Sequence, residues 1–443
     1  MNSALSRHLF FYPVTLMKGE PISFLRSSYK NRQWVSKGEL ERYQLFKFKE
    51  IMKHAVANSV FYRELYRSHD ISVEDIKSLG DIKALPTISK DNLIQSLETM
   101  STNDKTRIFS STKTTGGSTG QPVKLYKDSM ALARERCATA RSYEWAGIAL
   151  GDSQLRFWGV PHSKKARRTS RIADLVANRR RVSAFDLTEE SLARYYHECE
   201  LFKPKYIYGY VSAIEQFARF LIENKLKPLS SVKSIITTAE ILNSNARSTI
   251  QRAFSANVYN EYGCGEVGSI AHECESGNMH VMADNLYLEV DGDNGNSGEI
   301  IVTDFFNKAT PLIRYRLGDF ASLSNSQCSC GRSLPIIDSI HGRAYDLLEM
   351  PSGKKIHPES IIYVFEQIQQ KTNAFKQFQV VQHSVNEIEA KIISSEKWSE
   401  TVCSQLVSAL KRDIDITINF RITLVGIIPR EKSGKMRIVK RTF

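Results

Sequence analysis

Between residues 154 and 264 the chain repeats one pattern, a short apolar run followed by an amphipathic stretch. The runs fall at 154–160, 206–210, 234–240 and 258–263. A strand apolar on both faces has to be covered on both, and helices spaced between such strands do the covering. The pattern therefore predicts an α/β fold with parallel pairing. In such sheets ligands collect off the carboxyl ends of the strands. Ala239-Glu240 and Tyr262-Gly263-Cys264-Gly265-Glu266 follow two of the runs directly. A third segment, 114–122, reads the same way and is expected to share their crevice.

That third segment is Thr114-Thr115-Gly116-Gly117-Ser118-Thr119-Gly120-Gln121-Pro122. Glycines let backbone N–H groups turn inward around an anion, and hydroxyls add donors for phosphate oxygens. No lysine follows the last glycine, so this is not a P-loop. Taken alone, the composition fits a flexible linker equally well. Val123-Lys124-Leu125-Tyr126 then alternates as a strand does.

Elsewhere the pattern is coarser. Apolar residues recur at helical spacing through 38–70, Ser89 caps a further helix, and 129–145 reads as helix. From 286 to 324 the chain turns β-rich, with Asp319 after a glycine turn at Gly318. Residues 342–346 read as a linker. Beyond them come a helix near 358–370, strands at 376–383 and 387–393, a helix at 397–411 and a strand at 416–425. The segment ends in a Lys435-bearing tip. The expected division is 1–341, with a β-rich part at 271–340, then a hinge at 342–346 and a small mobile α+β unit at 347–443.

Length allows two or three domains. No window has the apolar length of a membrane span, and the patch at 9–14 is too short and lacks the cleavage pattern of a signal peptide. Seven cysteines, an odd number, argue for reduced thiols or a metal and for a cytoplasmic protein. The net charge of +13 points to anionic partners, with no nucleic-acid signature beside it. The densest basic run, 164–181, fits a solvated face, or a landing site for anionic lipid or an acidic acceptor.

The chain resembles the adenylate-forming acyl-CoA synthetase superfamily, in its phenylacetate–CoA ligase and CapK-like branch. Four segments carry the resemblance in the family's order: 115–122, 262–266, 315–319 and Ser433-Gly434-Lys435. The resemblance implies a large AMP-binding domain with a small C-terminal lid. It implies activation of a carboxylic acid by ATP with Mg²⁺, then transfer to CoA or to a saccharide amine or other acceptor. Thr115, Gly116 and Gly117 would line the phosphates, with Ser118, Thr119 and Gly120 on the β- and γ-groups. Ala239 and Glu240 would flank the adenine, with Glu261, Tyr262 and Gly263 beside it and Tyr262 stacked on the ring. Glu266 would hold Mg²⁺. Asp319 and Arg343 would take the ribose, and Lys435 the α-phosphate and the acid. Relatives carry a hydroxyl where this chain has Gly265, and an acidic or lysine hinge where it has Tyr345. A non-catalytic nucleotide-binding scaffold is the alternative from another class, and the oligomer is expected to be a monomer or homodimer.

Cys274 and His280 have five residues between them, and Cys328-Ser329-Cys330 forms a C-x-C turn. Three thiolates and one imidazole complete a tetrahedral zinc shell, which predicts a structural site at Cys274, His280, Cys328 and Cys330. His272 is the reserve ligand. Cys264 is expected to line the acyl pocket.

Overall fold

The computed structural model describes residues 2–115, 123–159, 164–292, 297–343, 348–351, 353, 355–356, 358–429 and 437–443. The protein is α/β, as the periodicity predicts. Its largest sheet has eleven strands. One half is parallel: β3 (Gln154–Trp158), β4 (Arg179–Ser183), β5 (Tyr206–Tyr210), β6 (Ser234–Thr238) and β7 (Asn257–Cys264) pair in the order β4-β3-β5-β6-β7. All five residues of β5 and all five of β6 are buried, which is why they read as continuous apolar runs.

The other half is antiparallel. β8 (Gly268–Glu273) returns along β7, and β9 (Met279–Val281), β13 (Ile336–Arg343), β12 (Tyr315–Ser324), β11 (Ser297–Asp304) and β10 (Leu286–Asp291) follow it outward. The β-rich segment and the parallel core are thus one continuous sheet, joined through the β7–β8 turn that carries Glu266.

Two expectations about local structure change. The glycine-rich segment does not follow a parallel strand. It joins β1 (Ser110–Thr115) to β2 (Val123–Asp128), an antiparallel pair that forms its own two-stranded sheet. Asp319 is not in a turn: it lies within β12. Opposite Glu299–Ile301 of β11, the chain runs from Arg316 to Phe320, so Leu317, Gly318 and Asp319 bulge out of the ladder. Gly318 takes φ +73°, a conformation other side chains resist.

Helix ends are set by short polar side chains. Ser36 and Glu39 close a capping box on Lys37–Asn58, and Ser59 breaks that long periodic stretch by capping Val60–Arg67. Asp128 caps Ser129–Trp145, and its second oxygen accepts from the Lys308 N–H at 2.9 Å.

In the C-terminal segment, β16 (Phe375–Ser384), β17 (Glu387–Ser394), β18 (Asn419–Leu424) and β19 (Val439–Arg441) form a sheet in the order β18-β17-β16-β19, after the short pair β14 (Leu348–Glu349) and β15 (Lys355–Ile356). Its helices are Pro358–Thr372 and Glu400–Asp413. Lys376 Nζ meets Glu223 at 2.8 Å and Gln370 Nε2 donates to Ser244 Oγ at 3.3 Å, which holds this segment against the parallel half of the large sheet.

Candidate active site

The bulge in β12 brings two of the sequence motifs together. The Tyr262 hydroxyl donates to Asp319 Oδ2 at 2.7 Å. Asp319 sits directly across the β12–β13 ladder from Arg343. Tyr262, Asp319 and the Arg343 backbone therefore form one group.

Glu240 follows β6 and accepts from the Ser212 N–H at 2.7 Å, tying the strand end to the first turn of Val211–Glu223. Ala239 before it has φ +67°, a conformation an alanine adopts only where the surroundings enforce it. A cleft of about 470 Å³ opens beside Glu240, between Ser212 and Asn243 on one wall and Gln369 and Phe378 on the other.

Glu261 faces another way. Its Oε2 accepts from the Tyr143 hydroxyl at 3.0 Å, and His272 Nε2 lies 3.7 Å away, directly opposite in the β7–β8 register. Burial pushes the Glu261 carboxyl up to about 7 and the His272 imidazole down to about 3. Aromatic rings enclose them: Tyr143 lies edge-on to His272, and Arg156 lies over Tyr208 and Trp158. His272 thus lies beside Glu261, outside the group formed by Cys274, His280, Cys328 and Cys330, and is not a reserve metal ligand.

Lys127 was not singled out by the sequence. It has the same parity in β2 as Val123 and Leu125, so the alternation itself turns it inward. The buried ammonium donates to Glu135 Oε2 at 2.8 Å and to the Val267 carbonyl at 3.0 Å. That second bond ties the β1–β2 pair to the residue after Glu266. Gly268, at φ +88°, leaves no room for a Cβ beside Glu135, which keeps the turn close to the pair.

The cysteine constellation closes as the spacing predicts. One donor atom from each of Cys274, His280, Cys328 and Cys330 lies within 4.8 Å of the others. Cys274 Sγ and Cys328 Sγ are 3.7 Å apart, and Cys330 Sγ is 3.2 Å from His280 Nε2. His280 Nδ1 sits 3.0 Å from the Leu334 carbonyl, the partner that fixes the tautomer leaving Nε2 to bind a metal. Asn278 Nδ2 donates to Cys328 Sγ at 3.2 Å. Three sulfurs and one nitrogen fit zinc. All seven cysteines are free of disulfides.

Gly116, Gly117, Ser118, Thr119, Gly120, Tyr345 and Lys435 lie outside the described residues, and Thr115 and Arg343 are described through their backbones. Gly263 pairs with Ser269 in the β7–β8 ladder, and Cys264 ends β7. Glu266 is half-buried in the turn that follows.

Residues 348–442 match the CapK C-terminal domain. Protein CapK of Staphylococcus aureus is 26% identical over 396 residues, covering 88% of this chain and 87% of that protein. The phenylacetate–coenzyme A ligase of Escherichia coli K12 is 23% identical, covering 91% and 95%. Among solved structures, 2-hydroxyisobutyryl-CoA ligase in the postadenylation state, in complex with 2-HIB-AMP, superposes with a TM-score of 0.76 at 20% identity, covering 93% of this chain and 91% of that one. The chain thus has the fold of the adenylate-forming CoA ligases, matches the CapK C-terminal domain over residues 348–442, and is similar along most of its length to CapK and to phenylacetate–CoA ligases.

Proposed function

We propose that the protein activates a carboxylic acid with ATP and transfers the acyl group to an acceptor. The observation that carries this reading is the Tyr262–Asp319 hydrogen bond, which joins two family motifs 57 residues apart. In the first half-reaction a carboxylate oxygen attacks the α-phosphorus of ATP in line. The bond from that phosphorus to the β-bridging oxygen breaks, and pyrophosphate leaves. In the second, the acceptor attacks the acyl carbonyl, loses its proton, and AMP departs.

Each assigned residue has a physical task in that sequence. Asp319, oriented by the Tyr262 hydroxyl, accepts hydrogen bonds from the ribose diol with Arg343 beside it. Tyr262 stacks on the adenine, with Ala239, Glu240, Glu261 and Gly263 around it. The 115–120 loop donates to the phosphates, and the Lys127–Val267 bond holds the pair bearing it against the Glu266 turn. Glu266 offers the hard oxygen ligand that Mg²⁺ prefers, and the ion supplies charge neutralisation along the triphosphate. Lys435 adds a positive charge where the acid and α-phosphate meet.

We assign residues 1–341 to the nucleotide-binding domain, 342–346 to a hinge and 347–443 to a mobile lid. Zinc at Cys274, His280, Cys328 and Cys330 is structural, since four protein ligands leave no open position. The reaction is cytoplasmic, where ATP and reduced thiols are available. CoA is the acceptor that the phenylacetate–CoA ligase relatives favour. The CapK C-terminal domain favours a second reading, transfer to a saccharide amine or hydroxyl.

Acid-dependent ATP–pyrophosphate exchange across aryl, amino and short-chain acids tests the first half-reaction. Exchange that survives both Glu266→Ala and Asp319→Ala unchanged rejects it. Offering CoA and amino sugars separately to the acyl-adenylate made in situ, with products read by mass spectrometry, separates the two acceptors.

A further inference from the structure

The first helices carry an inverted amphipathic pattern. In Ser6–Phe11 and Tyr12–Met17 the buried side chains are Ser6 and Thr15. Leu9, Leu16 and Met17 are 61, 51 and 79% exposed, and Phe24 in the next helix is 73% exposed. These helices are nonetheless pinned. Ser3 Oγ bonds Asp152, Lys205 Nζ reaches Ser3 Oγ at 3.3 Å, and Gly151 lets the Arg7 backbone approach closely. The apolar side chains are thus presented to solvent by a docked element.

The helix Lys164–Val176 packs against Ser6–Phe11 and extends the surface. It exposes Ile172 and Leu175, at 58 and 65%, with Arg168 and Arg171 also exposed. The basic run divides here. Arg179 and Arg181 do not belong to the surface: they pair with Asp174 at 2.6 and 3.1 Å, and Asp174 is the one acidic residue of the helix. Residues 2–35 hold Arg7, Lys18, Arg26, Lys30 and Arg32 against a single acid, Glu20, which is buried, although Arg26 and Lys30 are paired with Glu144 of the helix Ser129–Trp145.

We propose that this face docks on an anionic lipid bilayer, with Leu9, Leu16, Met17, Ile172 and Leu175 entering the interface and Arg168 and Arg171 meeting lipid phosphates. Apolar side chains set among basic ones describe an interfacial surface. A second copy would bring two basic faces together across a twofold axis, and a polyanion alone would leave the leucines and Met17 uncovered. No helix among the described residues is long and apolar enough to cross a membrane, so the contact is peripheral.

The test is co-sedimentation of the full chain with vesicles of phosphatidylcholine alone and of phosphatidylcholine mixed with phosphatidylglycerol. Binding is expected to the mixed vesicles only, and to fall sharply near 1 M salt, where the Debye length is about 3 Å. Leu9→Asp with Met17→Asp should weaken partitioning roughly tenfold or more. Arg168→Gln and Arg171→Gln should each weaken it roughly fivefold, with unfolding midpoints unchanged. Equal binding to neutral vesicles, or none to either, overturns the proposal. So does self-association, seen by sedimentation velocity, that Leu9→Asp abolishes while vesicles stay unbound.

Discussion

Tyr262 and Asp319 lie 57 residues apart and meet through a 2.7 Å hydrogen bond, the phenol donating to a buried carboxylate. The bond exists because β12 bulges at Leu317–Asp319 and turns Asp319 toward β7. Its consequence is orientation, since one carboxylate oxygen is fixed by the phenol.

Tyr262→Phe keeps the ring and removes the donor. A hydrogen bond to a charged group contributes about 1.5 kcal/mol or more. The KM for ATP in pyrophosphate exchange should therefore rise roughly tenfold, with kcat changed less. An unchanged KM would show that the phenol does not orient Asp319 for the nucleotide.

Metal analysis of protein purified without an affinity-metal column should find one zinc per chain. Cys328→Ser combined with Cys330→Ser should abolish it and lower the unfolding midpoint, because metal binding is coupled to folding. Zinc-free protein of unaltered stability would reject the site.

Glu261 and His272 predict opposing pH dependences. Glu261, near 7 when folded against 4.5 when exposed, contributes stability that is present below 4.5 and lost as pH rises to 7. His272, near 3 against 6.5, contributes stability that is present above 6.5 and lost as pH falls toward 3. Between 4.5 and 6.5 the two slopes, each about 1.4 kcal/mol per pH unit, cancel. Urea unfolding across that window should show little slope from this pair. Glu261→Gln should make stability rise with pH, and His272→Asn should make it fall. Parallel profiles for all three proteins would refute the buried neutral pair. The groups facing it are Tyr143, Tyr208, Arg156 and Glu135, and Glu135 is paired with Lys127 Nζ at 2.8 Å.

Lys127→Ala should cost about 3 kcal/mol in denaturant unfolding, since it strands the Glu135 carboxylate and the Val267 carbonyl. Because the β1–β2 pair loses its tie to the Glu266 turn, pyrophosphate exchange should fall even under conditions where the variant is fully folded. Wild-type exchange in the folded variant would make Lys127 a stability residue alone.

Much of the fold was legible because its signals are local. The wholly buried strands β5 and β6 read as apolar runs, and the helix Ser129–Trp145 was bounded correctly from its pattern. The C-terminal order of helix, two strands, helix and strand was also readable, though β19 was not: a three-residue strand has too little period to detect. The Cys/His cluster could be chosen by chemistry and spacing, and its donor atoms lie within 4.8 Å of one another.

Long-range pairing is not written in any window of sequence. The family resemblance put Glu261 beside the nucleotide motif but did not show that it bonds Tyr143 and lies opposite His272, because that depends on the β7–β8 register and on a helix more than a hundred residues upstream. The basic run looked uniform until tertiary contacts divided it, with Arg179 and Arg181 closing on Asp174 while Arg168 and Arg171 stayed exposed. The sequence determined which elements form, through side-chain period and capping chemistry. Tertiary structure alone decided which charges are buried in pairs and which face solvent, because burial and pairing depend on neighbours that only folding brings within a few ångströms.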